Sequence, residues 1–107
     1  FFDFKGPSYT VDTACSSSLL ALDCALNSLR SGACDAALVG GVNLCFRSQT
    51  SLQFLRLQML SADGACRAFD ASGTGYVRSE TVATVFIQKR QEAKRFYATL
   101  LHSKTNT

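Results

Sequence analysis

Cysteine is the residue type here best suited to covalent chemistry, and one of the five cysteines, Cys15, stands among small and hydroxyl residues. The run is Asp12-Thr13-Ala14-Cys15-Ser16-Ser17-Ser18. It falls between a short β-prone stretch, Tyr9-Thr10-Val11, and the start of a helical pattern. A thiol at such a junction gains twice. A sharp strand-to-helix turn pushes the side chain outward, as in nucleophile elbows. The helix N-terminus offers free N–H groups and the positive end of a dipole, which favour a thiolate. The backbone N–H of Cys15 can then donate to the oxyanion formed on an attacked thioester. The small neighbours Ala14, Ser16 and Ser17 leave room for substrate. On these residues alone two readings stay open: a catalytic thiol, or a small buried core residue.

The other thiols (Cys24, Cys34, Cys45 and Cys66) are scattered, with no C-x-x-C pair. Zinc sites need clustered thiolates or histidines, and the single His102 has no companion, so no metal site is expected. An odd number of dispersed cysteines fits reduced thiols in a cytoplasmic protein. These four read as small apolar core residues. His102 reads as a surface or packing residue and not as a base. Asp70 and Glu80 fall in a glycine-rich segment, where backbone N–H groups need acceptors, so both read as structural.

The elements that must position Cys15 follow from periodicity. Leu19, Leu22, Leu26 and Leu29 recur at steps of three or four, predicting a helix from Ser16 to Arg30 that Gly32 stops in a left-handed cap. Ala36 to Val39 is wholly apolar and predicts a strand covered on both faces. Strand, helix and strand in this order predict a parallel βαβ unit. Gly40 and Gly41 permit close packing or a tight turn. Thr50 and Gln53 form a candidate capping box for a helix carrying Leu52, Leu55 and Met59. A glycine-punctuated loop runs from Ser61 to Gly75. Val82 to Ile87 and Phe96 to Leu101 predict two further strands, joined by a basic, solvated turn from Lys89 to Arg95.

Composition narrows the function classes. The 107 residues are 47% hydrophobic and 18% charged with one proline, which is globular and not disordered. The net charge is +3 and the basic residues form no dense stripe, which argues against a nucleic-acid domain. No apolar stretch approaches the ~18 residues of a membrane span. The chain opens on Phe1-Phe2-Asp3-Phe4 and closes on Thr105-Asn106-Thr107 without a capping element. It is therefore expected to be an internal segment, residues 1–107, of a larger domain.

A resemblance then adds to the reading of Cys15. Val11-Asp12-Thr13-Ala14-Cys15-Ser16-Ser17-Ser18-Leu19 resembles the active-site motif of β-ketoacyl synthases, and Gly6-Pro7-Ser8 resembles the lead-in to it. Asp35 to Asn43 resembles the next strand with its glycine pair. Leu60-Ser61, Gly64, Phe69-Asp70, Gly75-Tyr76 and Arg78-Ser79-Glu80 come in the family's order. Tyr97-Ala98-Thr99 and Thr105-Asn106-Thr107 resemble the strand that leads to an Asn-Thr-Asp-Gly segment. Gln53 to Leu57 and Met59-Leu60 are most similar to the animal-type multifunctional fatty acid synthases, with polyketide synthases next.

The resemblance implies an α/β, partial thiolase-like fold in α-β-α-β-α layers. The chain would span the end of the N-terminal half and the start of the C-terminal half. It implies Cys15 as the catalytic residue, taking an acyl group from the phosphopantetheine of an acyl carrier protein. No cofactor would be bound by the segment itself. The parent would be a cytoplasmic homodimer with no membrane span. The family's two histidines, its lysine and the glycine-phenylalanine segment that supplies a second oxyanion donor would lie outside these residues. Thr81 departs from the pattern, standing where the family has glycine; a positive φ there would strain a β-branched residue. Two alternatives remain beside this reading: a polyketide ketosynthase, and a non-catalytic ketosynthase-like module for dimerisation. A cysteine hydrolase would need a histidine beside Cys15.

Overall fold

The computed structural model describes residues 2–106. Phe1 and Thr107, which entered the reading of the two ends, lie outside the described residues. The chain divides into two compact units, residues 2–41 with 83–106, and residues 42–82.

In the first unit the leucine stripe forms α1, Ser17–Ser31. Leu26 and Leu29 are buried, while Leu19 at the helix start is exposed. Gly32 ends the helix as expected, at φ 77°, with its N–H bonded to Leu29 O and the next N–H, of Ala33, bonded to Ser28 O. Glycine takes this left-handed cap without the steric cost of a Cβ. Strands β1, Ala36–Asn43, and β2, Thr81–Gln88, pair as a two-stranded sheet and lie mostly in this unit. Val39 is buried, but Leu38 is 61% exposed, so β1 is not covered on both faces as its apolar run predicts.

Two predicted strands of this unit are corrected. Residues 9–11 form no strand, so the βαβ unit is incomplete: no described strand pairs with them, and a strand exists only through its neighbour's hydrogen bonds. Residues 96–101 also form no strand. The Leu101 carbonyl accepts from the Arg30 guanidinium at 3.0 Å, and the Arg90 and Arg95 guanidiniums lie over the rings of Phe96 and Tyr97. The basic turn between the two predicted strands contains a 3-10 turn, Arg90–Glu92, and its Lys89 pairs with Asp35 at 3.4 Å.

Gly41 shows why glycine stands in β1. A Cβ there would sit 2.7 Å from Ser18 Cβ in the first turn of α1. Gly41→Ala is expected to cost ~1–3 kcal/mol by overpacking, read as a lowered melting temperature of the intact protein.

In the second unit α2 spans Ser48–Arg56. It begins two residues before Thr50, after the extended Arg47, and no side chain caps it. Thr50 is therefore already helical, and the predicted capping box does not form, because a cap needs non-helical backbone. Met59 lies past the helix, which ends before the left-handed Gln58. Phe54 packs edge-on against Tyr76 at 6.1 Å, and the Arg78 guanidinium lies 5.0 Å from its ring centre.

The glycine-punctuated loop closes through a bridge between Leu60 and Tyr76. Gly75, at φ 150°, passes so close that a Cβ would lie 2.6 Å from Met59 O. Asp70 accepts the Ser72 N–H at 2.8 Å, as predicted, whereas Glu80 accepts the N–H of Cys45 at 2.8 Å, a structural bond to backbone outside the glycine-punctuated loop. The Ser72 N–H and hydroxyl lower the Asp70 carboxyl below the ordinary carboxylate range, and Ser61 and Arg67 do the same to Asp63. Their support for the loop is thus present at neutral pH and is lost only as the pH falls through those lowered values. Thr81 opens β2 and is not among the described residues with positive φ, so the feared strain is absent. No helix among the described residues is long and apolar enough to cross a membrane.

Candidate active site

Cys15 sits in a 3-10 turn, Ala14–Ser16, that runs directly into α1. The helix start is where the sequence places it, although no strand precedes it. The thiol is exposed, so the buried reading of Cys15 fails. Side chains make the local backbone bonds that a strand ladder would otherwise supply. Asp12 Oδ1 accepts the Ala14 N–H at 2.9 Å, and Ser17 Oγ accepts the Thr13 N–H at 2.9 Å. In return Ser16 Oγ donates to Thr13 O at 2.9 Å and Ser17 Oγ donates to Ala14 O at 2.6 Å. The Thr13 hydroxyl completes the set against Ser16 Oγ at 2.8 Å. Within residues 12–17 the thiol of Cys15 is the one polar side chain that joins no hydrogen bond.

The turn is also strained. Ala14 has φ 57°, a left-handed conformation that alanine rarely adopts. Asp12, Ser16 and Ser17 have roles here that the sequence reading did not assign. The signal for them was present: Asp accepting from the N–H two residues on is an Asx-turn, and serines near helix starts bond to backbone.

The remaining cysteines divide. All five are free. Cys24, Cys34 and Cys45 are half-buried, in line with small packing residues. Cys66 is exposed, which corrects its reading as a core residue. Its sulfur lies on a loop and accepts the Val77 N–H at 3.1 Å, a backbone group that needs an acceptor. Among the described residues no three His, Cys, Asp or Glu side chains gather as a metal site would require.

His102 is exposed, with Nδ1 3.4 Å from the Arg30 guanidinium. It lines a cavity of about 560 Å³ beside α1, together with Thr13, Ser16, Leu19 and Asp23, but Cys15 does not line that cavity. Among the described residues His102 therefore forms no hydrogen bond with Cys15.

The family profile described as β-ketoacyl synthase, N-terminal domain, matches residues 1–93. Fatty acid synthase of the goose Anser anser anser is 58% identical over 107 residues, covering 100% of this chain and 30% of that protein. A highly reducing polyketide synthase of Didymella fabae is 52% identical over 93 residues, covering 87% of this chain and 5% of that protein. Among solved structures, the oxazolomycin ketosynthase domain of Streptomyces albus superposes with TM-score 0.77 at 45% identity, over 85% of this chain and 16% of that one. The ketosynthase of module 6 of the Bacillus subtilis bacillaene synthase gives TM-score 0.79 at 36% identity, over 86% of this chain and 16% of that one. The chain thus spans under a third of these relatives, and its α/β architecture is that of ketosynthase domains, the thiolase-like fold. From the family match and from the fold alike, the chain belongs to the β-ketoacyl synthase family.

Proposed function

We propose that the chain is an internal segment of the ketosynthase domain of a multifunctional fatty acid synthase, and that Cys15 is its acyl-accepting nucleophile. The observation that carries this reading is the exposed, unbonded thiol of Cys15 at the turn into α1, in a member of this family. The higher identity to the goose fatty acid synthase favours fatty acid over polyketide synthesis.

The chemistry is a transfer and then a condensation. The Cys15 thiolate attacks the carbonyl of an acyl group on a carrier protein's phosphopantetheine, and the carrier thiol leaves. The acyl group is now a thioester on Cys15. Malonyl-carrier protein then loses CO2, and the resulting carbanion attacks that thioester carbonyl. A carbon–carbon bond forms, the Cys15 thiolate leaves, and the product is a β-ketoacyl thioester two carbons longer.

The Cys15 N–H, near the start of the helical turn, supplies one oxyanion donor. The two histidines, the lysine and the second donor come from sequence outside these 107 residues. The parent enzyme is a cytoplasmic, homodimeric acyltransferase whose partner is the acyl carrier protein.

Trapping the acyl enzyme tests the assignment. The full-length parent synthase is incubated with an isotope-labelled acyl thioester without malonyl donor, then digested and mapped by mass spectrometry. The label is expected on Cys15. Label on Cys66, the other exposed thiol, or on no cysteine, would overturn it.

A further inference from the structure

Cys15 inherits its place from Ala14. A residue at φ 57° turns the chain sharply, so Cys15 enters the helical turn at an angle set by that conformation. Alanine does not prefer this region, so a left-handed Ala14 persists only if its surroundings specify it. The bond that does so is local. Asp12 Oδ1 takes the Ala14 N–H at 2.9 Å and lies within 3.5 Å of Ser17 Oγ, at the limit of a hydrogen bond. Ser17 gives its one hydroxyl hydrogen to Ala14 O at the shorter 2.6 Å, so both polar groups of the strained residue are tied. Asp12 is exposed and forms no ion pair among the described residues. Its carboxylate has no structural duty in the described residues beyond this turn.

We infer that Asp12 is a positioning residue for the acyl transfer, holding Ala14 in its left-handed conformation so that the Cys15 thiol is presented to the acyl carbonyl. This rests on Cys15 being the acyl-accepting nucleophile, as proposed above. Asp12 touches neither substrate nor thiol; it acts through the backbone of Ala14. Loss of the bond lets Ala14 relax to a commoner conformation, which swings Cys15 off its line. Misplacement of a reacting group by about an ångström costs on the order of a hundredfold in rate. Asparagine keeps an oxygen that can accept the Ala14 N–H, whereas alanine keeps none. Glycine at position 14 adopts φ near +57° without the Cβ penalty, so it removes the need for Asp12.

The test uses the full-length parent synthase with Asp12→Ala, Asp12→Asn, Ala14→Gly, and Asp12→Ala combined with Ala14→Gly. Three quantities are read: Cys15 acylation at saturating acyl thioester, the KM for that thioester, and the rate of Cys15 alkylation by iodoacetamide. Asp12→Ala is expected to slow acylation by about a hundredfold with KM unchanged, and to change the alkylation rate. Asp12→Asn and the Asp12→Ala/Ala14→Gly pair are expected to recover most of that loss. Wild-type acylation in Asp12→Ala would overturn the proposal, as would an equal loss in Asp12→Asn. Failure of Asp12→Ala to fold in both backgrounds would also overturn it, since Asp12 would then support the fold and not the turn. If the wild-type enzyme never carries acyl on Cys15, the nucleophile assignment fails. The alkylation rates would still decide whether Asp12 sets the position of the thiol.

Discussion

Cys15→Ser in the full-length parent synthase is expected to lower condensation at least about a thousandfold, to the limit of detection, with the protein still folded. Serine differs by one atom, and the thiol it replaces makes no hydrogen bond that the turn depends on. The two thioester steps are what suffer. An alcohol is far less ionised than a thiol at neutral pH, so the attack on the carrier thioester slows. Any acyl group that did transfer would sit in an ester, which a malonyl-derived carbanion attacks less readily than a thioester. Cys66→Ser is the companion measurement, because Cys66 is the other exposed thiol. It should leave condensation within about twofold of wild type, since its sulfur accepts only a loop N–H. Near-normal condensation by the Cys15 variant would remove it from the acyl-carrier role.

Residues 1–107 made alone are expected to show no cooperative melt and no malonyl decarboxylation. Among the described residues three apolar side chains are buried, Leu26, Leu29 and Val39, and no side chain is fully enclosed. Large apolar groups on the regular elements stay in water instead: Leu19 of α1, Leu38 of β1, Leu52 and Leu55 of α2, and Val82 and Phe86 of β2. Net stability of ~5–15 kcal/mol in a complete domain comes from covering such surfaces, and losing most of the cover leaves none of it. A two-stranded sheet also presents unpaired edges, which favour aggregation over solution as a monomer. On the chemical side, losing a single oxyanion donor costs on the order of a hundredfold or more, and here the histidines are proposed to lie elsewhere as well. A soluble monomer with a cooperative melt and measurable decarboxylation would overturn both the structural and the catalytic expectation.

Local interactions made part of this protein legible. The leucines of α1 and the stop at Gly32 could be read because helix bonds span four residues and the left-handed cap one. Asp70 could be read as a loop acceptor, since glycine-rich loops leave N–H groups that need one, while the donor to Glu80, Cys45, lies 35 residues away and was not legible. Cys15 could be placed at a helix start by the change of period at Ser16, and the motif around it carries the resemblance on which its proposed chemistry rests.

Other features depended on partners that no local pattern names. Residues 9–11 and 96–101 have the composition of strands, but a strand is made by a neighbour, and no described strand pairs with them. Cys66 reads like its fellow thiols, yet only the folded loop decides that it is exposed. The need for glycine at position 41 appears once Ser18 lies 2.7 Å from its missing Cβ. The left-handed Ala14 stands between the two cases: its partners Asp12 and Ser17 are local in sequence, but alanine itself avoids that conformation, so its residue type names no such turn and the folded backbone alone shows it.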